Sequence, residues 1–386
     1  SFRKSERFEG GASRFRGGSG PIHASFGRVH HRLTDAFIDA AQQVGFPYPR
    51  RPRLVDGHSG SRRKRARDRG RIRPWGAGVL CHGSPGGDSV HRFDCQPQDA
   101  HAVRNRAIGG AEGTPDTCSS DLPGVGENLQ EYIYSTMISN VNVITINREL
   151  TVKGVLKHGL DFVVRGRGAV TTAAAHSLLF GSFTKGATRP DYEIIFSPLG
   201  MSGDTPEADA GQNIKFRHDV HELRPMETST VMELPSISHP RARGRVVLRS
   251  ADPFAKPIIE HELLADPRDI ADLTAVCRIT REIFAADALR PYVTGEMLPG
   301  KAVETDADWE SYFRSHAWRG EHPCGTCRMG TDEMAVTDHR LRVHGVAGLR
   351  VVDASVMPTV ITGHTNAPTV MIAERAAEFI RADNAG

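Results

Sequence analysis

Two short segments near the end of the chain set histidines among small and turn-forming residues. The first reads Glu321-His-Pro-Cys-Gly-Thr-Cys-Arg-Met-Gly330, and the second runs from Gly363 through His364 to Thr369. A neutral imidazole accepts a proton near neutral pH and can hydrogen-bond a developing alkoxide. His322 and His364 are therefore candidate acid-base residues, although a lone histidine is more often structural than catalytic.

A short apolar segment lies between the two histidines and has to position them. Residues 349–352 predict a buried strand that stops at Asp353. A carboxylate just past such a strand lies at the ligand crevice of a sheet, where it accepts hydrogen bonds from hydroxyl groups or orients backbone amides toward a diphosphate. An ordinary turn aspartate is the alternative at this position.

A helix is predicted to follow the second histidine. Residues 368–380 carry apolar side chains at helical spacing, with charged residues on the other side. Pro368 suits the first turn, and Asn366 is a candidate N-cap. The helix N-terminus would bring free backbone amides and the positive end of the helix dipole next to His364. Such a helix end stabilises an anionic ligand, whereas a helix capped only for folding needs none.

These segments, taken in order, resemble the C-terminal signature of the glucose-methanol-choline (GMC) oxidoreductases. Three long motifs in the same order and at the expected spacing make the match specific. The motifs are residues 322–330, 349–358 and 363–374, and weaker similarity covers 8–47, 121–130 and 239–266.

The resemblance implies an FAD-dependent enzyme, similar to choline and alcohol dehydrogenases, that oxidises a CH–OH group to a carbonyl. The family's catalytic pair falls on His322 and His364, where His322 takes the hydroxyl proton while hydride passes to the flavin. His364 is a departure, because many dehydrogenase-like members carry asparagine at that position. The expected cofactor-binding residues, acting partly through backbone groups, are Asp353, Ala354, Asn366, Ala367 and Pro368.

The resemblance also implies a mixed α/β (α+β) fold: a remnant of a Rossmann-like FAD-binding domain and an antiparallel-sheet substrate domain backed by helices. We expect residues 1–50 to be a remnant of the FAD domain and cap, and 121–320 the substrate-binding domain. Residues 321–386 would be the C-terminal part of the FAD domain. No Gly-x-Gly-x-x-Gly follows a predicted strand. We therefore expect a truncated chain without the N-terminal dinucleotide-binding segment.

Hydrophobic patterns indicate the elements of the middle region. Helices are predicted at 33–44, 152–164 and 266–285, and strands at 133–143, 192–196, 228–234 and 244–248, the last three in one antiparallel sheet.

Residues 51–120 are basic and without pattern. From residue 50 to 73 there are eleven Lys or Arg against two Asp, a local charge of +9 in a chain of formal net charge +3. An out-of-frame translation is the favoured interpretation, with a flexible or a diverged insertion and a nucleic-acid-binding surface as alternatives. Interleaved aromatic residues are lacking, so no nucleic-acid partner is expected.

Composition argues against a membrane-spanning, a disulfide-rich and a metal-binding protein. The chain has 386 residues, 39% of them hydrophobic, and no apolar run of membrane length, so no transmembrane segment is expected. Six cysteines without disulfide-framework spacing favour a reducing compartment, which we take as the cytoplasm, with peripheral membrane contact as an option. Cys324 and Cys327 form a CxxC, but no second one exists, so no metal is expected.

The expected partners are a small-molecule alcohol and an electron acceptor that the sequence does not specify. A non-catalytic remnant, folded around the middle sheet, is the alternative to an active enzyme. A basic nucleic-acid-binding protein is a weaker alternative.

Overall fold

The computed structural model describes residues 2–12, 16–24, 30–47, 79–82, 122–165, 175–184, 187–202, 224–250 and 255–384. Their strands are β1 (Glu6–Phe8), β2 (Ile22–Ala24), β3 (Val79–His82), β4 (Ile133–Tyr134), β5 (Met137–Val141), β6 (Ser177–Gly181), β7 (Tyr192–Ser197), β8 (Met201–Ser202), β9 (Arg224–Pro225), β10 (Thr230–Ile237), β11 (Arg245–Val247), β12 (Ile258–Glu260), β13 (Val293–Leu298) and β14 (Trp318–Arg319). Their α-helices are α1 (Phe2–Ser5), α2 (Arg32–Gln43), α3 (Ile146–Glu149), α4 (Val152–Arg165), α5 (Pro267–Ala285), α6 (Asp306–His316) and α7 (Asn366–Asn384), with 3-10 turns at Arg290–Tyr292 and Ala354–Val356.

An antiparallel sheet forms the centre of the molecule, with strand order β13-β5-β10-β7-β6-β3. Strand β10 pairs with β7 along one edge, and along the other edge it pairs first with β5 and then with β4. Strand β14 continues the sheet beyond β4. The expected mixed fold with an antiparallel sheet is confirmed.

The two faces of this sheet enter different apolar clusters, because successive side chains of a strand point to opposite sides. On β7, Ile194 and Phe196 enter a first cluster, which lies under α2, α5 and α6. Ile195, between them, enters a second cluster, which includes Val356 and Ile372 from the C-terminal segment. The sheet is thus covered by helices on one face and by the histidine-bearing segment on the other.

Local signals fix the helices that back the sheet. Helix α5 begins where the Asp266 side chain accepts a hydrogen bond from the backbone N–H of Arg268, with Pro267 in its first turn. Helix α6 begins with a capping box between Thr305 and Asp308. The predicted helices at 33–44, 152–164 and 266–285 agree with α2, α4 and α5.

Two strand predictions are wrong in part. Strands β7 and β10 pair in the central sheet, but β11 pairs with β12 in a separate two-stranded sheet. Gly244, just before β11, exchanges both backbone hydrogen bonds with Leu129, at 2.9 Å each. This pairing directs β11 away from the central sheet. The predicted strand at 133–143 is divided into β4 and β5.

Residues 349–352 do not form the predicted strand. The segment folds back on residues 341–343, with backbone hydrogen bonds from Val343 N–H to Leu349 and from Val351 N–H to Leu341. Gly345 and Gly348 make this return possible, because their φ values of 71° and 75° suit glycine. Within the described ranges its only bridge joins Arg342 and Arg350.

The N-terminal part of the chain contacts the C-terminal helix. Helix α1 packs against α7, and Lys4 Nζ lies 3.0 Å from Glu378 Oε1. Strands β1 and β2 pair in parallel beside it. Of the basic segment 51–120, only β3 is described, as an edge strand paired with β6. The interpretation of the rest lies outside the described residues, and the division into four regions stays a prediction.

Within the described ranges, no helix is both long enough and apolar enough to cross a membrane.

Candidate active site

The two predicted catalytic histidines lie side by side. His322 follows β14 and His364 precedes α7, and their ring centroids are 4.5 Å apart with the planes at 63°. His322 Nδ1 is 3.2 Å from the Thr365 hydroxyl oxygen. The fold therefore brings together residues 42 positions apart in the sequence.

The backbone around His322 is held by the segment that leads into β4. Gln130 and Cys324 exchange both backbone hydrogen bonds, at 3.0 and 2.9 Å. Glu131 Oε1 accepts the N–H of His322 at 2.7 Å and that of Tyr132 at 2.8 Å. These bonds fix the chain on both sides of His322 and so fix the point from which its imidazole extends.

Position 325, in the motif that carries His322, requires a glycine. Its φ is +96°, and a Cβ there would lie 2.4 Å from the Asn128 carbonyl oxygen. The Asn128 side-chain amide donates to the Gly325 carbonyl at 3.1 Å. The close approach of these two backbones keeps the loop after His322 in place.

Tyr132 holds the second histidine segment. Its hydroxyl accepts the Gly363 N–H at 2.8 Å and lies against the carbonyls of Ile361 and Gly363. Its ring also meets the His322 ring edge-on, with centroids 5.4 Å apart. One tyrosine therefore supports both histidines.

A buried carboxylate faces the pair from the sheet. Glu193 alternates with Tyr192 and Ile194, which enter the first cluster, so its side chain points toward the site. Glu193 is only 2% exposed, and its Oε1 lies 3.5 Å from His364 Nε2. His364 is 43% exposed, so the pair has a carboxylate on one side and solvent access on the other.

Burial shifts the protonation of these groups. The pKa of His322 is lowered to about 3, first by burial and then by repulsion from His364. The pKa of Glu131 is raised to about 8 by burial, against the opposing effect of its two backbone hydrogen bonds. Burial, followed by the charge of Glu193, raises the pKa of Tyr134. His322 is thus a neutral imidazole at physiological pH.

The expected cofactor residues fall on two neighbouring elements. Asp353 Oδ1 accepts the Ser355 N–H at 2.7 Å and begins the turn Ala354–Val356. Ala354 is 2% exposed, its methyl group packs in the second cluster, and its carbonyl accepts the Met357 N–H at 3.1 Å. This turn is tied to the first motif, because the Ser355 carbonyl accepts the Cys327 N–H at 2.9 Å.

Helix α7 begins at Asn366, so Thr365, and not the predicted Asn366, is the residue that precedes it. The Thr365 carbonyl accepts from the backbone N–H and the hydroxyl of Thr369, at 3.0 and 2.8 Å. Asn366 and Ala367 are exposed and Pro368 is half-buried in the first turn. The start of the helix is therefore open beside His364.

The CxxC cysteines are both free thiols. Burial raises the pKa of Cys324 to about 12 and that of Cys327 to about 11, so neither is a thiolate at neutral pH. Groups of three or more His, Cys, Asp or Glu that could hold a metal do not occur among the residues the structure describes.

Several site residues were missed in the sequence. Glu131 and Tyr132 directly follow the motif at 121–130, and Thr365 lies inside the motif at 363–374. Glu193 had a signal of its own, because a lone carboxylate in the apolar strand Tyr192–Ser197 must face either solvent or a polar site.

Comparison with known proteins identifies the family of this chain. Residues 240–373 match the family model of the GMC oxidoreductases. The chain is 31% identical to the mitochondrial choline dehydrogenase of Mus musculus, over 98% of this chain and 68% of that protein. It is 36% identical to the oxygen-dependent choline dehydrogenase of Acinetobacter baumannii (strain AYE), over 68% of this chain and 44% of that protein. The chain belongs to the GMC oxidoreductase family, whose members are FAD-dependent oxidoreductases.

Solved structures show the same fold. Pyridoxine 4-oxidase from Mesorbium loti superposes with a TM-score of 0.67 at 20% identity, covering 98% of this chain and 75% of that one. Formate oxidase from Aspergillus oryzae RIB40 superposes with a TM-score of 0.77 at 16% identity, covering 99% and 77%. The family resemblance and the fold class predicted from the sequence are confirmed.

Proposed function

We propose that this chain binds FAD beside the histidine pair and oxidises the CH–OH group of a choline-type alcohol to the carbonyl. The observation that carries the proposal is the contact of His322 and His364, at 4.5 Å between ring centroids, next to the open start of α7. The names of the choline dehydrogenases among its relatives support the choice of substrate class.

The residues around the pair fit a flavin. The first turn of α7 has backbone N–H groups without intrahelical partners, and Asn366 and Ala367 are exposed there. Gly363 precedes them with φ +104° and open space where a Cβ would be. A helix N-terminus stabilises negative charge, such as that on the pyrimidine edge of a reduced flavin. Pro368 in the same turn would line this edge.

Asp353 and Ala354 would meet another part of the cofactor. The Asp353 carboxylate already orients one backbone N–H, that of Ser355 at 2.7 Å, and further donors of the cofactor could share it. Ala354 would contribute its backbone N–H, because its side chain is buried and its carbonyl already accepts the Met357 N–H. When bound, FAD supplies the acceptor for the hydride that leaves the carbinol carbon.

His322 acts as the base. Burial keeps its imidazole neutral, with its pKa lowered to about 3, so one ring nitrogen carries a lone pair. When Nδ1–H donates to the Thr365 hydroxyl at 3.2 Å, Nε2 carries the lone pair and receives the proton of the substrate hydroxyl. The C–H bond pair leaves as hydride, and the carbonyl forms between carbon and oxygen.

Glu193 and His364 govern the charge that develops. Two imidazolium rings 4.5 Å apart repel each other, so the pair carries one positive charge at a time. The Glu193 carboxylate, 3.5 Å from His364 Nε2, favours a proton on that nitrogen and orients the ring. A neutral His364 with its N–H directed to Glu193 adds no positive charge beside His322 when that imidazole takes the substrate proton.

His322→Ala tests the assignment. In the FAD-loaded chain, the variant should lose about 10²- to 10⁴-fold in turnover, the usual contribution of a general base, while flavin absorbance is unchanged. His339→Ala, which removes an exposed histidine outside the site, serves as the matched control and should keep full turnover. Turnover of His322→Ala within a few-fold of the unchanged chain would show that this imidazole is not the base.

A further inference from the structure

Helix α4 turns its apolar side chains toward solvent. Leu156, Leu160, Val163 and Val164 are 66 to 81% exposed. Val155 and Phe162, on the same side, are about half exposed. These six residues form a continuous arc at helical spacing, which we call the apolar face of α4.

The polar side of α4 faces the protein instead. The less exposed residues on that side are Gly154, His158 and Asp161. His158 Nε2 lies 3.2 Å from Glu149 Oε2 in the preceding helix α3. A surface helix normally buries its apolar stripe against the core, so the reversed orientation marks the apolar face as a contact surface.

The edge of the apolar face is basic. Lys153 and Lys157 are exposed and, at about 100° per residue, lie together along one border of the arc. Asp161 is on the inward side, and Glu149 is paired with His158. Lysine stems can lie along an apolar surface while their ammonium groups stay at the level of lipid headgroups. Apolar and basic groups together complement an anionic bilayer surface.

The size of the helix fits a position in the plane of the bilayer. Its 14 residues span about 21 Å, which is less than the roughly 30 Å of the hydrocarbon core. A second copy of the chain is a poorer occupant, because a two-fold contact would bring the lysines of both copies to one interface. We propose that the apolar face of α4 docks this protein on anionic lipid membranes.

Vesicle flotation with the purified full chain tests the proposal. The chain should float with vesicles of phosphatidylcholine and phosphatidylglycerol, and much less with phosphatidylcholine alone. Val163→Glu should lower the bound fraction at least about fivefold, because a carboxylate at the centre of the face opposes both burial and the anionic surface. Met334→Glu, a half-exposed methionine outside α4, is the matched control and should float like the unchanged chain.

Replacing Lys153 and Lys157 by glutamine should remove the preference for anionic vesicles and leave weak binding to both kinds. Circular dichroism melting curves confirm that Val163→Glu folds, and Leu160→Glu provides a second variant of the face. The proposal would be overturned if the unchanged chain did not float with anionic vesicles. It would also be overturned if Val163→Glu and Leu160→Glu both floated as well as the unchanged chain. A dimer that Val163→Glu dissociates would assign the face to a second copy and overturn it as well.

Discussion

Two glutamates with different surroundings flank the histidine pair. Glu131 is enclosed and accepts two backbone N–H groups, one of them from His322, so it fixes the backbone of the base. Glu193 faces the ring of His364, which solvent can reach. The same residue type thus orders the chain in one place and, under our proposal, balances catalytic charge in the other.

Replacing Glu131 by glutamine should flatten the pH dependence of stability. The pKa of Glu131 is raised from 4.5 to about 8 in the folded chain, so the folded state holds the proton more tightly than the unfolded state. Its stabilising effect is complete below about pH 4.5 and is lost as the pH rises through about 8. Glutamine keeps an acceptor oxygen and does not ionise. The variant should therefore avoid the loss of unfolding free energy above about pH 8, which is on the order of a few kcal/mol in the unchanged chain.

Denaturant unfolding at a series of pH values measures this difference. Glu333→Gln, at an exposed glutamate, is the control and should leave the slope of the unfolding free energy against pH unchanged. Parallel curves for the unchanged chain and Glu131→Gln would contradict the raised pKa.

Among the elements, helices α2, α4 and α5 could be predicted from the sequence, whereas α6 was not predicted and several strand pairings could not be. The bounds of α2, α4 and α5 agree with the predicted ones within two residues, because periodicity and caps such as Asp266 are local. Residues 349–352 have the composition of a strand, but their hydrogen bonds go to residues 341–343. Strand pairing depends on distant partners, which a single segment does not encode.

The same limit applied to the site. His322 and His364 could be predicted from their motifs, but their contact distance could not. Glu193 reaches His364 only because β7 occupies a particular register beside β10, with Glu193 opposite Ser236. Tyr132 supports the Gly363 backbone across 231 residues of sequence. Such contacts follow from the sheet and not from spacing along the chain.

Gly325→Ala should loosen the segment that carries His322. The added methyl group would meet the Asn128 carbonyl oxygen at 2.4 Å, and φ is +96°, so both a clash and backbone strain result. We expect a loss of at least about 2 kcal/mol in unfolding free energy, together with lower turnover. Denaturant unfolding and steady-state assays give the two values.

Gly348→Ala separates strain from clash. Its φ is +75°, but nothing lies within 4 Å of a Cβ there, so only the strain of about 1 kcal/mol should appear. Equal losses for Gly325→Ala and Gly348→Ala would show that the approach of Asn128 to Gly325 is not tight.

For the whole molecule, the central sheet joins two halves with different tasks. One face packs on α2, α5 and α6 in the first apolar cluster. The other carries Tyr132, Tyr134 and Ile195 against the C-terminal motifs in the second cluster. The helices thus support one face of the sheet, and segments that are distant in sequence form the site on the opposite face. A site of this kind keeps its geometry only while the sheet is intact.

Flavin reduction by choline tests the central claim most directly. The chain is incubated with FAD, desalted and mixed with choline under anaerobic conditions while the visible absorption spectrum is recorded. We predict that the oxidised flavin bands survive desalting and are bleached by choline, and that bleaching slows by orders of magnitude in His322→Ala. A colourless chain after desalting would contradict the proposed FAD binding. Retained flavin that choline and other primary alcohols leave oxidised would contradict the proposed oxidation.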